Sequence, residues 1–212
     1  MMNGVIVIGA GGHAKVCIEL LRAMERQVAF CIGGDDDAGG FCLGVPVLAG
    51  DAHLASLRDR GFGQAFVAIG SNGLRQRLGA RALALGFELV NAISPRATLS
   101  PTAQLGRGVA VMAGAIVNAD SRIADFAIIN TAASVDHDGH IGEAAHIAPH
   151  CGLAGNVEVG ARSFLGIGTK VIPGIVIGPD VVAGAGSVIV SDVAGEARIA
   201  GVPARTLRKK DT

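Results

Sequence analysis

From residue 93 onward the chain repeats every six residues. Successive positions in this frame are Ile93, Leu99, Leu105, Val111, Val117, Ile123, Ile129, Val135, Ile141, Ile147, Leu153, Val159, Leu165, Val171, Ile177, Ala183 and Ile189. Sixteen of these seventeen are Ile, Leu or Val, and the frame has no gap. Four places further on in each unit the residue is mostly small: Ala97, Ala103, Ala115, Ser121, Ala127, Ala133, Gly139, Ala145, Cys151, Ser163, Thr169 and Ser187. A period of six fits neither a 3.6-residue helix nor a strand of alternating faces. It is the hexapeptide signature of a parallel β-helix, in which each unit makes one short flat face and one turn. Three units close a triangular coil of 18 residues, with the branched residue inside and the small one beside it. Residues 93 to 194 make 102 positions, between five and six coils. The chain has no Trp or Tyr and only seven Phe, so its core must be built from stacked aliphatic side chains.

Residues 1–92 have a different texture, with five of the seven Phe and no hexad frame. Val5-Ile6-Val7-Ile8 reads as a buried parallel strand, followed by a glycine turn and the amphipathic run Val16 to Leu21. Further strands are expected at Val28–Ile32, Phe66–Ile69 and Phe87–Val90. Helices are expected near 52–60, capped by Asp51, and at 73–85, capped by Ser71. Strands alternating with helices indicate a small Rossmann-like α/β domain. The expected organisation is therefore 1–92 as the α/β domain and 93–212 as the β-helix with a C-terminal tail.

The first turn matches G-x-G-x-x-A through Gly9, Gly11 and Ala14, with Asp35 twenty-one positions after Ala14. Glycines let a backbone approach phosphates, and the following helix offers N–H donors and a partial positive charge. About 90 residues amount to one mononucleotide half of a dinucleotide fold. A nucleoside diphosphate is thus expected in place of NAD, with Asp35 or Asp36 accepting from base or ribose. The candidate binding residues are Gly11, Gly12, His13, Asp35, Asp36 and Gly70.

Lys+Arg and Asp+Glu are 18 each, so there is no electrostatic footprint for nucleic acid. The basic cluster Arg205, Arg208, Lys209 and Lys210 is expected to be a solvated tail. The four Cys, at 17, 31, 42 and 151, form no C-x-x-C, and Cys151 falls on an inward small-residue position. The N-terminal residues lack a basic n-region, and no run of 18 apolar residues occurs. No membrane span is expected, and a cytoplasmic protein is.

Four of the six His lie within fourteen residues: His137, His140, His146 and His150. Their offsets of 3, 6 and 4 spread them around a hexad prism, which argues against a zinc site, so no metal is expected. His140 and His150 are expected at the surface. Gly155 follows His137 by 18 residues, one coil, which puts the two side by side about 4.8 Å apart. His146 follows it by nine, half a coil, so the two histidines share a site only if His146 comes from a neighbouring subunit.

Ungapped hexads ending in Gly201-Val202-Pro203-Ala204-Arg205 resemble the left-handed β-helix acyltransferases, a trimeric family that mostly uses acetyl-CoA. With a nucleotide-binding domain ahead of the hexads, the whole chain resembles the bacterial nucleotide-sugar N-acetyltransferases. These include enzymes acting on UDP-4-amino-sugars and GDP-perosamine; the sialic acid O-acetyltransferase-like proteins share the arrangement. The left hand, the homotrimer and acetyl-CoA are implied by this resemblance. In the family, the His of an N-T-x-x-S-V-x-H segment is the general base and the acid after it raises its basicity. Here these are His137 and Asp138 of Asn130-Thr-Ala-Ala-Ser-Val-Asp-His137-Asp138. The resemblance also implies cofactor contacts at His146, with its thioester, and at Ile167 and Val176 through backbone groups. Gly155 is the candidate donor, through its N–H, to the tetrahedral oxyanion. The nucleotide-sugar would bind the first domain with its amino group at His137, in glycan biosynthesis. UDP and GDP stay open, as do the alternatives of sugar O-acetylation and a non-catalytic or metal-binding trimeric β-helix.

Overall fold

The computed structural model describes residues 2–34, 39–50 and 52–207. Asp35, Asp36, Asp37, Asp51, Arg208, Lys209 and Lys210 lie outside the described residues. The chain divides into two compact units, Met1–Pro95 and Arg96–Thr212.

In the first unit the strands are β1 (Met2–Ile8), β2 (Val28–Gly33), β3 (Phe41–Cys42), β4 (Val45–Ala49), β5 (Phe62–Val67) and β6 (Glu88–Leu89). The helices are α1 (Gly12–Ala23), α2 (Ala52–Asp59) and α3 (Asn72–Ala84). The sheet order is β3-β4-β2-β1-β5-β6, and β1 runs parallel to both of its neighbours. The centre of the sheet is apolar on both sides: Val5, Ile6, Val7 and Ile8 are at most 2% exposed. That is why β1 is a continuous hydrophobic run and not an alternating one. The chain builds outward from β1 to β2 and β4, then returns to place β5 and β6 on the other side. The ends of β1, β2 and β5 thus meet at a topological switch point, the place where open α/β sheets bind ligands. The hairpin β3–β4 is an addition to the expected strands; its short elements carry too little periodic signal to be read from sequence. Ser71 stands at the α3 cap position, but its side chain makes no cap hydrogen bond.

The second unit is a parallel β-helix of two-residue strands paired at an 18-residue offset, until Arg198–Gly201 pairs with Val182–Ala183 and, antiparallel, with Ala204–Thr206. On the first face Ile128 pairs with His146 and His146 with Phe164. On the second, Ser134 pairs with Gly152 and Gly152 with Lys170. On the third, Arg122 pairs with His140 and His140 with Glu158. The second residue of each strand is the hexad residue, and from Val111 to Ile189 none is more than 4% exposed. Burying a branched side chain is worth roughly 1.5–3 kcal/mol, and here the gain recurs at every hexad.

The corners need a left-handed residue every six positions. Gly108, Gly114, Gly168, Gly174 and Gly186 take it, and so do Asp120, Phe126, Ala132, Asp138, Ala144, His150, Asn156, Arg162 and Asp180, with φ between 53° and 61°. Each non-glycine here costs about 1–2 kcal/mol, which the stacked interior offsets. The small inward positions hold the corners from inside: Ser121, Ser163, Thr169 and Ser187 are all 0% exposed. Their hydroxyls donate to corner carbonyls at 2.6–2.7 Å.

Candidate active site

The corner between the second and third faces carries, coil by coil, His137-Asp138, Gly155-Asn156 and Pro173-Gly174. The coils are tied there by backbone bonds, from Asn156 N–H to the His137 carbonyl and from Gly174 N–H to the Gly155 carbonyl, both 3.0 Å. His137 is 55% exposed, and its Nδ1 lies 2.8 Å from Asp138 Oδ2. Asp138 holds the left-handed φ of 57° at that corner. The hydrogen bond to Asp138, together with the field of Asp136 and Asp138, pushes the His137 pKa above its ordinary value despite some desolvation. With Nδ1 bound to the carboxylate, Nε2 is the atom turned to other partners. Gly155 lies directly beside the ring, as the 18-residue spacing requires. Its N–H has no acceptor among the described residues.

The structure does not bring every predicted cofactor residue to this corner within one chain. His146 is on the first face, 9% exposed, with Nε2 3.0 Å from Asn130 Nδ2 and its ring edge-on to Phe164 at 5.2 Å. Ile167 is at the corner between the first and second faces, 52% exposed, and its carbonyl accepts from Gly186 N–H at 2.8 Å. Val176 is on the third face, half-exposed. Its N–H donates to Asp192 Oδ1 at 2.8 Å and its carbonyl accepts from Val193 N–H at 2.9 Å. What Val176 presents outward is its half-exposed side chain. Exposed Ile172 and Val190 follow the second-face strands at the corner that leads toward the third face. His140 and His150 are exposed, Cys151 is buried against the Gly166 carbonyl, and among the described residues no group of His, Cys, Asp and Glu forms a metal site. No helix among them is long and apolar enough to cross a membrane.

In the first unit a 300 Å³ cavity lies at the ends of β1 and β2, lined by Gly9, Ala10, Gly11, Ile32, Gly33 and Gly34 among others. Gly9 has φ 129°, and an added Cβ would meet the Ala68 carbonyl oxygen at 2.6 Å, so this position admits only glycine. Gly11, Gly12 and Gly70 instead face open space, with nothing within 4 Å of an added Cβ. They leave room for a ligand and are not demanded by packing. The His13 ring turns back toward Cys17, Nε2 to Sγ 3.6 Å, away from the cavity lining. Burial and then the Arg75 charge push its pKa down to about 4, so the ring is neutral near pH 7.

Arg75 was not foreseen from the sequence. It is 1% exposed, and its Nη1 donates to the Ile69 and Gly70 carbonyls at 2.9 and 3.1 Å while Nη2 donates to Asn72 Oδ1 at 2.9 Å. Burial pulls its pKa down to about 10. It clamps the loop after β5 that lies beside the glycine turn and sets a cation there. Asn130 reads from the sequence only as part of the N-T-x-x-S-V-x-H segment, and its bond to His146 emerges from the fold.

Residues 4–82 match the family described as PglD N-terminal domain. Over its full length the chain is similar to the crystal structure of PerB from Caulobacter crescentus in complex with CoA and GDP-perosamine. The two share 52% identity over 98% of this chain and 99% of that one, with a TM-score of 0.94. It is also similar to the acetyltransferase domain of PglB from Neisseria gonorrhoeae with acetyl coenzyme A, at 40% identity, 98% and 100% coverage and a TM-score of 0.91. Among curated proteins, a serine acetyltransferase of Synechococcus elongatus is 31% identical over 51% of this chain. This chain spans under half the length of the curated relatives it matches, 24% and 41%.

Proposed function

The chain belongs to the bacterial left-handed β-helix nucleotide-sugar N-acetyltransferases, acetyl-CoA-dependent acyltransferases, and from that premise we propose that it acetylates the amino group of a nucleotide-linked amino sugar. GDP-perosamine, bound by the Caulobacter relative, is the first acceptor to try. The observation that carries the reading is the His137–Asp138–Gly155 corner, where a base, its carboxylate and a free N–H donor meet.

His137 acts as general base through Nε2. It takes a proton from the sugar amine as the nitrogen attacks the thioester carbonyl, then returns it to the departing thiolate. Asp138 holds the Nδ1 proton, orients the ring and stabilises the imidazolium. The Gly155 N–H donates to the tetrahedral oxyanion. Attack is direct, because neither Ser nor Cys stands at the corner as an acyl carrier. The glycine turn takes the nucleotide diphosphate at the start of α1, Gly12 contributing backbone and His13 its N–H. His146 and Ile167 join the acetyl-CoA site from a neighbouring subunit, and the working unit is a homotrimer. Acetyl-CoA and nucleotide sugars are cytoplasmic metabolites, which supports a cytoplasmic enzyme acting ahead of a glycosyltransferase in glycan assembly.

Thiol release from acetyl-CoA, followed by mass spectrometry of the acceptor, tests this. GDP- and UDP-linked amino sugars should give an acetamido product, and hydroxyl-only sugars none. Acetylation confined to hydroxyl acceptors would replace N- by O-transfer.

A further inference from the structure

The turn carrying His137 is braced in a way that its neighbours in the same column are not. The residues just before this corner run Ser100, Asn118, Asp136, Ala154, Ile172 and Val190 up the prism, so a carboxylate stands there at one coil alone. Asp136 Oδ1 accepts two hydrogen bonds. One comes from the backbone N–H of His137 at 2.9 Å, the other from Asn118 Nδ2, one coil below, at 3.0 Å. Inside the prism, Ser121 donates to the Asp136 carbonyl at 2.7 Å and accepts from Gly139 N–H at 3.2 Å. Ser163 clamps the Gly178 carbonyl and Val181 N–H in the same manner at another corner, so the serine clamp is general to this prism. The Asn118–Asp136 rung belongs to the His137 corner.

We propose that Asp136, held in place by Asn118, is a positioning residue for His137: it pins the backbone from which the imidazole projects and sets a second negative charge beside the ring. This rests on the reading of His137 as the base. Charged and titratable groups on the elements around the corner are Asp120 one coil below, Asp136 and Asp138 in the turn, Arg122, His140 and Glu158 on the third face, and Lys170 on the second. Of these, Asp138 by its hydrogen bond and then Asp136 by its charge raise the His137 pKa. The Asp136 carboxyl is itself held below its ordinary range by the His137 N–H and then by Asn118. It therefore stays ionised throughout the titration of His137. An imidazolium next to two carboxylates is harder to deprotonate, and the neutral ring is correspondingly the stronger base. The two acids divide the task, one bonding the ring and the other bonding its backbone.

The test is an NMR titration of the His137 ring in the full-length protein, run beside kcat and KM against pH, for wild type, Asp136→Asn, Asp136→Ala and Asn118→Ala. Asp136→Asn keeps an oxygen acceptor for both hydrogen bonds and removes only the charge. It should lower the His137 pKa by about half a unit and move the acid limb of kcat with it, leaving the KM for acetyl-CoA in place. Asp136→Ala loses the pin as well and should lower kcat about tenfold or more. Asn118→Ala should fall between the two. A His137 titration unchanged in Asp136→Asn, with kcat of Asp136→Ala near wild type, overturns the proposal. A shifted titration alongside an active His137→Ala variant supports the contact and overturns the base assignment instead.

Discussion

The His137 imidazole occupies the room that Gly155 leaves one coil above it: a Cβ added to Gly155 would lie 2.5 Å from Nε2. On the proposed reading of His137 as the base, the position of its Nε2 is therefore set by the absence of a side chain on the next coil. Gly155→Ala should displace the ring without unfolding the prism, because the neighbour that must give way is a half-exposed side chain. We expect kcat to fall about 10- to 100-fold with little change in melting temperature, since small misplacements of a reacting group cost rates of that order. Unchanged turnover would mean that the ring works from another rotamer.

His137→Ala should lower kcat about 10²- to 10⁴-fold and leave the KM for acetyl-CoA nearly alone. A variant within about threefold of wild type removes this residue from the mechanism. In the active enzyme the working form is the neutral imidazole, so rate is lost as pH falls through the His137 pKa. Because Asp138, with help from Asp136, raises that pKa, the acid limb of kcat/KM should lie above the ordinary value of about 6.5. In Asp138→Asn it should move to lower pH while the maximal rate drops. An acid limb that stays put in this variant separates Asp138 from the base.

Gly11→Val tests the division of labour between the units. A Cβ added at Gly11 meets nothing within 4 Å, so the fold should survive, and the residue lines the cavity at the end of β1. The KM for the nucleotide-sugar should rise at least tenfold while calorimetric affinity for acetyl-CoA is retained. Loss of acetyl-CoA binding with normal acceptor binding would reverse the assignment, and tight binding of NADH to the wild type would favour a dinucleotide site.

Within one chain His146 lies on the first face and His137 at the corner between the other two, so a site using both needs a second copy. Sedimentation should give about 64 kDa for three copies of 21.3 kDa. Mixing inactive His137→Ala with inactive His146→Ala subunits should restore part of the activity. An active monomer would exclude the shared site.

The sequence alone determined the prism, its interior column and its coil register, because a six-residue period leaves one inward position per unit and repeats every 18 residues. It therefore also made Gly155 the neighbour of His137. The glycine fingerprint after β1 was legible for a similar reason: Gly9 answers to a backbone conformation, and conformation leaves a mark on residue type. What only the tertiary structure decided is how polar side chains choose among partners that the period does not distinguish. Arg75, on a helix with a weak apolar pattern, reads as a surface residue; it is buried because the carbonyls of Ile69 and Gly70 emerge from β5 where its guanidinium can reach them. Val176 donates its N–H to Asp192, sixteen residues on, a contact set by the path of the last coil. Asp136 is one more acid in a turn until the coil below brings Asn118 to within 3.0 Å. Periodicity records which residues face inward, since burial acts on every repeat alike; a hydrogen bond between two particular side chains depends on distances that only the assembled coils supply.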